Sequence, residues 1–96
     1  MPTIEFFGYD TEVRAALEEI IRERLCAEPF RMDCVFVETR PSFVRDWERN
    51  SRPFVRVSTR SEERADRFRA LLADLCDLEI VHIDFQAAHR RADVRS

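Results

Sequence analysis

The chain has 96 residues, of which 45% are hydrophobic and 36% charged, with a formal net charge of −3. That length holds one domain and is too short for two independent cores. An acidic balance argues against a general nucleic-acid binder, and neither a ~20-residue apolar run nor a basic-then-apolar leader is present, so a cytoplasmic protein with no nucleic-acid or membrane partner is expected.

Met1-Pro2 leads straight into the first expected strand, Thr3 to Tyr9, which begins with alternation and is rich in aromatics. If Met1 is removed, Pro2 becomes an N-terminal secondary amine, which can act as a base or nucleophile as an internal proline cannot. All 16 basic residues are Arg, so the N-terminus is the only place for amine chemistry. A helix follows: Val13, Ala16, Leu17, Ile20, Ile21 and Leu25 fall on one apolar stripe. Asp10 or Thr11 is the expected N-cap, and Pro29 lies just past the end. Asp33 to Thr39 holds a continuous apolar run, as a centrally placed strand would.

The loop from Arg40 to Arg52 carries Arg40, Arg45, Arg49 and Arg52 against Asp46 and Glu48. Phe43 and Trp47 sit four apart, the spacing of one side of a short helical turn. Phe54 to Ser58 alternates Val55 and Val57 against Arg56 and Ser58. A second helix follows, with Ala65, Phe68, Leu71, Leu72, Leu75 and Cys76 as its stripe. Thr59-x-x-Glu62 matches a capping box, and Glu62 with Glu63 suits the positive end of the helix dipole. Glu79 to Phe85 is the last strand, with Val81, Ile83 and Phe85 on one face and His82 and Asp84 on the other. Residues 1–86 form the expected domain, and 87–96, with Arg90, Arg91 and Arg95, a polar tail.

The order is β-α-β twice, and the halves match. Pro2-Thr3-Ile4-Glu5-Phe6 aligns with Pro53-Phe54-Val55-Arg56-Val57 at an offset of 51, as do Leu17, Ile20 and Ile21 with Phe68, Leu71 and Leu72. Right-handed crossovers make the strands of each half parallel and place both helices on one face. The expected fold is therefore α+β: duplicated β-α-β units giving a four-stranded mixed sheet with two helices on one face. A small domain buries only about 60–65% of its unfolded surface. The helix-free face of the sheet is then where subunits should meet.

Several chemistries are excluded. The single glycine, Gly8, rules out a Gly-rich phosphate loop or dinucleotide fingerprint. Cys26, Cys34 and Cys76 are odd in number and lack a C-x-x-C spacing, and His82 and His89 are few and separated, so no disulfide framework, metal site or cofactor is expected. Cys34, inside an apolar run, reads as a buried small hydrophobe rather than a nucleophile. Charges such as Glu18, Glu19, Arg22, Glu23 and Arg24 read as a solvated helix face.

Met1-Pro2 before the first strand, the duplicated β-α-β pattern and the length together resemble the tautomerase superfamily, which includes 4-oxalocrotonate tautomerase and macrophage migration inhibitory factor. The likeness is closest to a bacterial tautomerase-like group of unassigned function, whose chains open Met-Pro and later carry a Pro-x-Val-x-Val strand, an Arg and an acidic helix start. Here that is Pro53 to Val57, then Arg60, Glu62 and Glu63. The resemblance implies a homotrimer with the N-terminal proline in a pocket at each subunit boundary, moving a proton alpha to a carbonyl of a small keto or enol acid. Of the family's catalytic residues only Pro2 transfers by position; Cys34 stands where 4-oxalocrotonate tautomerase has an Arg before the second strand's apolar core.

The residues read by themselves support the same chemistry. A free α-amino group ordinarily titrates at about 7.7–8.0, and desolvation lowers that value toward the range where a base works best. The loop arginines Arg40 and Arg45, and Arg56 on the third strand, are the candidate donors for a substrate carboxylate or enolate oxygen. The alternatives are a subunit contact anchored by Phe43 and Trp47, and for Arg56 a cross-strand ion pair. Two further functions remain open: a non-catalytic trimeric module of the same fold, and a ferredoxin-like binding domain, whose strands pair antiparallel across the halves.

Overall fold

The computed structural model describes residues 1–39 and 44–83. Arg40, Phe43, the end of the last expected strand (Asp84, Phe85) and the 87–96 tail lie outside them. The element order is β1 (Thr3–Phe7), α1 (Thr11–Leu25), a short 3-10 turn at Arg31–Asp33, β2 (Val35–Val37), β3 (Phe54–Thr59), α2 (Glu62–Leu72) and β4 (Leu78–His82). The four strands form one sheet in the order β2-β1-β3-β4. Strands β1 and β2 are parallel, β3 and β4 are parallel, and β1 runs antiparallel to β3. The antiparallel β1–β3 pairing across the halves is the feature expected of the ferredoxin-like alternative, but among the described residues no other strand intervenes within either half, so each is an unsplit β-α-β unit rather than that fold's split form.

The duplication is visible as a local two-fold. In the antiparallel register Thr3 faces Ser58, Glu5 faces Arg56 and Phe7 faces Phe54. At the sequence offset of 51, Glu5 and Arg56 are each other's equivalents, so the pseudo-dyad passes through that pair. Its consequence is positional. The C-terminal end of β3, from which α2 departs, lies beside the N-terminal end of β1, where Pro2 stands.

Period-two alternation sorts the sheet. Ile4, Phe6, Val55 and Val57 are buried and form one core with Leu17, Ile21 and Leu25 of α1 and Phe68 and Leu72 of α2. Both helices thus cover the same face. On the other face Phe7 stacks on Phe54 with ring centroids 4.8 Å apart. Arg56 lies over both rings, at 4.9 and 5.6 Å. The residues left there without a helix, Glu5, Arg56, Val35 and Val37 among them, are half-buried or exposed.

Three local expectations need correction. Strand β2 is an edge strand of three residues, not a central one. Its apolar run arises because Phe36 packs on the core while Val35 and Val37 face the helix-free side. On α1, the stripe is used only in part: Leu17, Ile21 and Leu25 are buried, whereas Val13 and Ile20 stay 52% and 40% exposed. Helix α1 crosses from β1 to β2, and so short a second strand leaves little sheet for the whole stripe. The Thr59/Glu62 capping box does not form. The N-cap is Ser61, whose Oγ accepts from Arg64 N at 3.2 Å, while Thr59 Oγ1 accepts from Ser61 N. For α1, Asp10 is the N-cap, acting through its carbonyl with no side-chain bond.

Candidate functional site

Pro2 sits one residue before β1 and is among the most completely buried side chains of the chain, while Met1 is 76% exposed. Its carbonyl accepts a 2.8 Å hydrogen bond from Val35 N, which fixes the start of β1 against β2. One residue out from the observed registers, Pro2 is flanked by Cys34 on the β2 side and Thr59 on the β3 side. By alternation it shares the helix-covered face with Ile4 and Phe6, at the end of the sheet where the first turn of α2 begins.

That turn supplies a cation that sequence reasoning overlooked. Arg64 pairs with Asp33 at 3.1 Å and lies 5.2 Å from the Phe30 ring. The electrostatics of Cys34 tie the neighbourhood together. Burial pushes its thiol up, the positive charge of Arg64 pulls it down, Asp33 adds to the rise, and the amino terminus pulls it down. The amino terminus, Cys34, Asp33 and Arg64 therefore share one end of the sheet. The raised thiol leaves Cys34 protonated at neutral pH, consistent with its reading as a small hydrophobe and not a nucleophile.

A groove of about 670 Å³ opens at the same end, between the segment after α1 and the first two turns of α2. Pro29, Phe30 and Ala70 give it an apolar floor, and Ser61, Arg64 and Arg67 line it with polar groups. Glu28, buried at 6% exposure, holds Arg67 at 2.7 Å. Phe30 rests on Phe68 with centroids 5.4 Å apart, so this part of the floor belongs to the core, while Pro29 and Ala70 are exposed. Pro2 does not line the groove; Arg64 connects the two, facing the groove and acting on Cys34.

Of the expected site arginines, Arg45 and Arg56 are not gathered around Pro2 within one chain. Arg45 belongs to the segment that precedes β3, at the end of the sheet where β1 finishes: Val44 and Pro53 crowd the position of Gly8, whose φ of +79° favours glycine. The five residues of β1 separate Gly8 from Pro2, six steps of strand or roughly 20 Å. Arg56 is mid-sheet, bound to Glu79 at 3.3 Å and opposite Glu5; its Nε is buried without an acceptor among the described residues. Arg40 lies outside the described residues.

The segment at 44–52 is also not a helical turn. Arg45 and Ser51 form an antiparallel bridge and Arg52 N donates to Val44 O at 2.8 Å, making a tight hairpin-like turn. Asp46 fastens it, accepting from Asn50 N at 2.8 Å and Arg52 Nε at 3.0 Å. The Asn50 amide chiefly holds the Asp46 carboxyl below its usual range, with Arg52 assisting. Tyr9, near that end, is pushed up to about 12 by burial first, then by Cys76 and Asp77, so its phenol stays protonated and cannot serve as a base near neutrality.

Among the described residues, no group of His, Cys, Asp and Glu is arranged to hold a metal ion, and no helix is long and apolar enough to cross a membrane. No protein-family model and no curated protein matches the chain. Solved structures similar to it include two proteins of unknown function. One is a domain of unknown function (DUF1904) from Sebaldella termitidis, 21% identical with a TM-score of 0.58, the match covering 88% of this chain and 89% of that one. The other is a protein of unknown function from Vibrio cholerae, 19% identical with a TM-score of 0.55, covering 88% of this chain and 77% of that one. Identities this low establish a shared fold, and the chain takes the α+β fold of these two proteins.

Proposed function

We propose that this chain is a tautomerase-like isomerase in which Pro2, freed by removal of Met1, is the general base acting on a small keto or enol acid. The observation that carries the reading is the burial of Pro2 at the end of the sheet that also holds the Arg64 cation. Desolvation and a nearby positive charge both disfavour an ammonium, so they lower the basicity of a free Pro2 amine toward working pH. Arg64 is the donor that the same chain offers a substrate carboxylate, at the cost of loosening its pair with Asp33. Arg45 serves a Pro2 only from a second copy, and Arg40 is proposed with it as a donor for the substrate carboxylate. Arg56 acts in binding only if Glu79 releases it. The proposed assembly is a homotrimer joined through the helix-free sheet face, where Phe7, Phe54, Val35 and Val37 would otherwise stay partly wet.

The second reading is a non-catalytic module of the same fold. It holds wherever Met1 stays in place, because the Pro2 nitrogen is then an amide without basicity. A screen of phenylpyruvate and 2-hydroxymuconate-type enols, run on protein shown by intact mass to lack Met1, separates the two. Ketonisation well above the buffer rate is expected; its absence across the screen would leave the module reading.

A further inference from the structure

Trp47, the chain's single tryptophan, is 99% exposed at the tip of the 44–52 turn. A solvated indole is unusual on its own, and here the turn that presents it is built with care. Asp46 makes three hydrogen bonds across it, to Asn50 N, Asn50 Nδ2 and Arg52 Nε. Arg49 takes a left-handed φ of 68° to close it, a conformation that costs a non-glycine residue energy. A rigid turn that lifts an aromatic into water, flanked by arginines, has the composition of an interface anchor.

From the turn and the groove, we infer that Trp47 docks into the groove between Pro29–Phe30 and α2 of a second copy of this chain. The groove's volume of about 670 Å³ and its floor of Pro29, Phe30 and Ala70 suit a planar aromatic ring. The charges oppose: the turn carries Arg45, Arg49 and Arg52 against Asp46 and Glu48, and the groove Glu28, Glu63 and Asp66 against Arg64 and Arg67. Turn and groove lie at opposite ends of the sheet, so one chain cannot satisfy its own contact. The contact is head-to-tail, which closes into a ring under rotational symmetry. It brings the partner subunit's Trp47 to the Pro2 end, yet it does not depend on Pro2 being a base.

With a single tryptophan, intrinsic fluorescence reports this contact directly. Over a dilution series followed by sedimentation, emission should be blue-shifted and acrylamide quenching several-fold weaker in the assembled protein than in the dissociated chain. Trp47→Ala should weaken assembly by at least about tenfold, and Ala70→Arg, which fills the groove from an exposed position, should do the same while leaving Trp47 fully quenchable. Both sites are exposed, so circular dichroism should report an intact fold. An assembled protein with a freely quenched Trp47, or a monomer at every concentration, overturns the inference. So does a monomer with a shielded Trp47, which would mean that the chain covers its own indole. If Trp47→Ala weakens assembly and Ala70→Arg does not, the groove is not the acceptor and the assignment fails.

Discussion

Protein carrying one extra residue ahead of Pro2 should lose about 10²–10⁴-fold of its enol ketonisation, the usual loss for a general base. The extension turns the Pro2 amine into an amide and leaves every side chain unchanged. It is a better probe than Pro2→Ala, which keeps a primary amine at the same place and would retain part of the activity. The fold should tolerate the extension, because Met1, already attached at that nitrogen, is 76% exposed. Undiminished turnover by the extended protein, with the extension verified by mass, would eliminate Pro2 as the base.

Phe68→Ala should destabilise the domain by about 3–5 kcal/mol, the range for deleting a fully buried ring. Phe68 is 0% exposed, belongs to one core with Leu72, Ile4 and Val57, and packs against Phe30, which lines the groove. For a chain of this size each kcal/mol lowers the melting temperature by about 4–8 °C, so a fall of more than ~10 °C is expected. Val13→Ala, on the same kind of apolar stripe but 52% exposed, should change it little. Comparable effects of the two substitutions on thermal unfolding would contradict the core described above. The part of stability that Phe68 supplies is a large share of the 5–15 kcal/mol typical of small domains.

What could be read in advance follows from which signals are local. Helices α1 and α2 and the alternation of β3 are carried by residue periodicity, and the halves' internal parallel pairing follows from crossover handedness. The edge position of β2 is a tertiary fact. A strand with Phe36 on the core and Val35 and Val37 on the helix-free face is apolar on both sides wherever it stands. The 44–52 turn departs from expectation because the Phe43–Trp47 spacing suits a helix, while the turn chemistry of Asp46, Asn50 and Ser51 governs the backbone. Arg64 carried no signal of its own among many helix arginines. Its relation to Pro2 comes from the antiparallel β1–β3 pairing, which sets the start of α2 beside the start of β1. The duplication at an offset of 51 contained that information, since two equal halves joined antiparallel about Glu5 and Arg56 place those ends together.

The central claim is that this fold turns the Pro2 amine into a base, and it can be tested without knowing the substrate. Protein labelled with ¹³C and ¹⁵N at proline and lacking Met1 can be titrated by NMR at Pro2. Burial and the Arg64 charge should place the amine's apparent pKa below the ordinary α-amino value of about 7.7–8.0, and Arg64→Ala should raise it. A Pro2 amine that titrates at or above the ordinary value, unmoved by Arg64→Ala, would contradict the account.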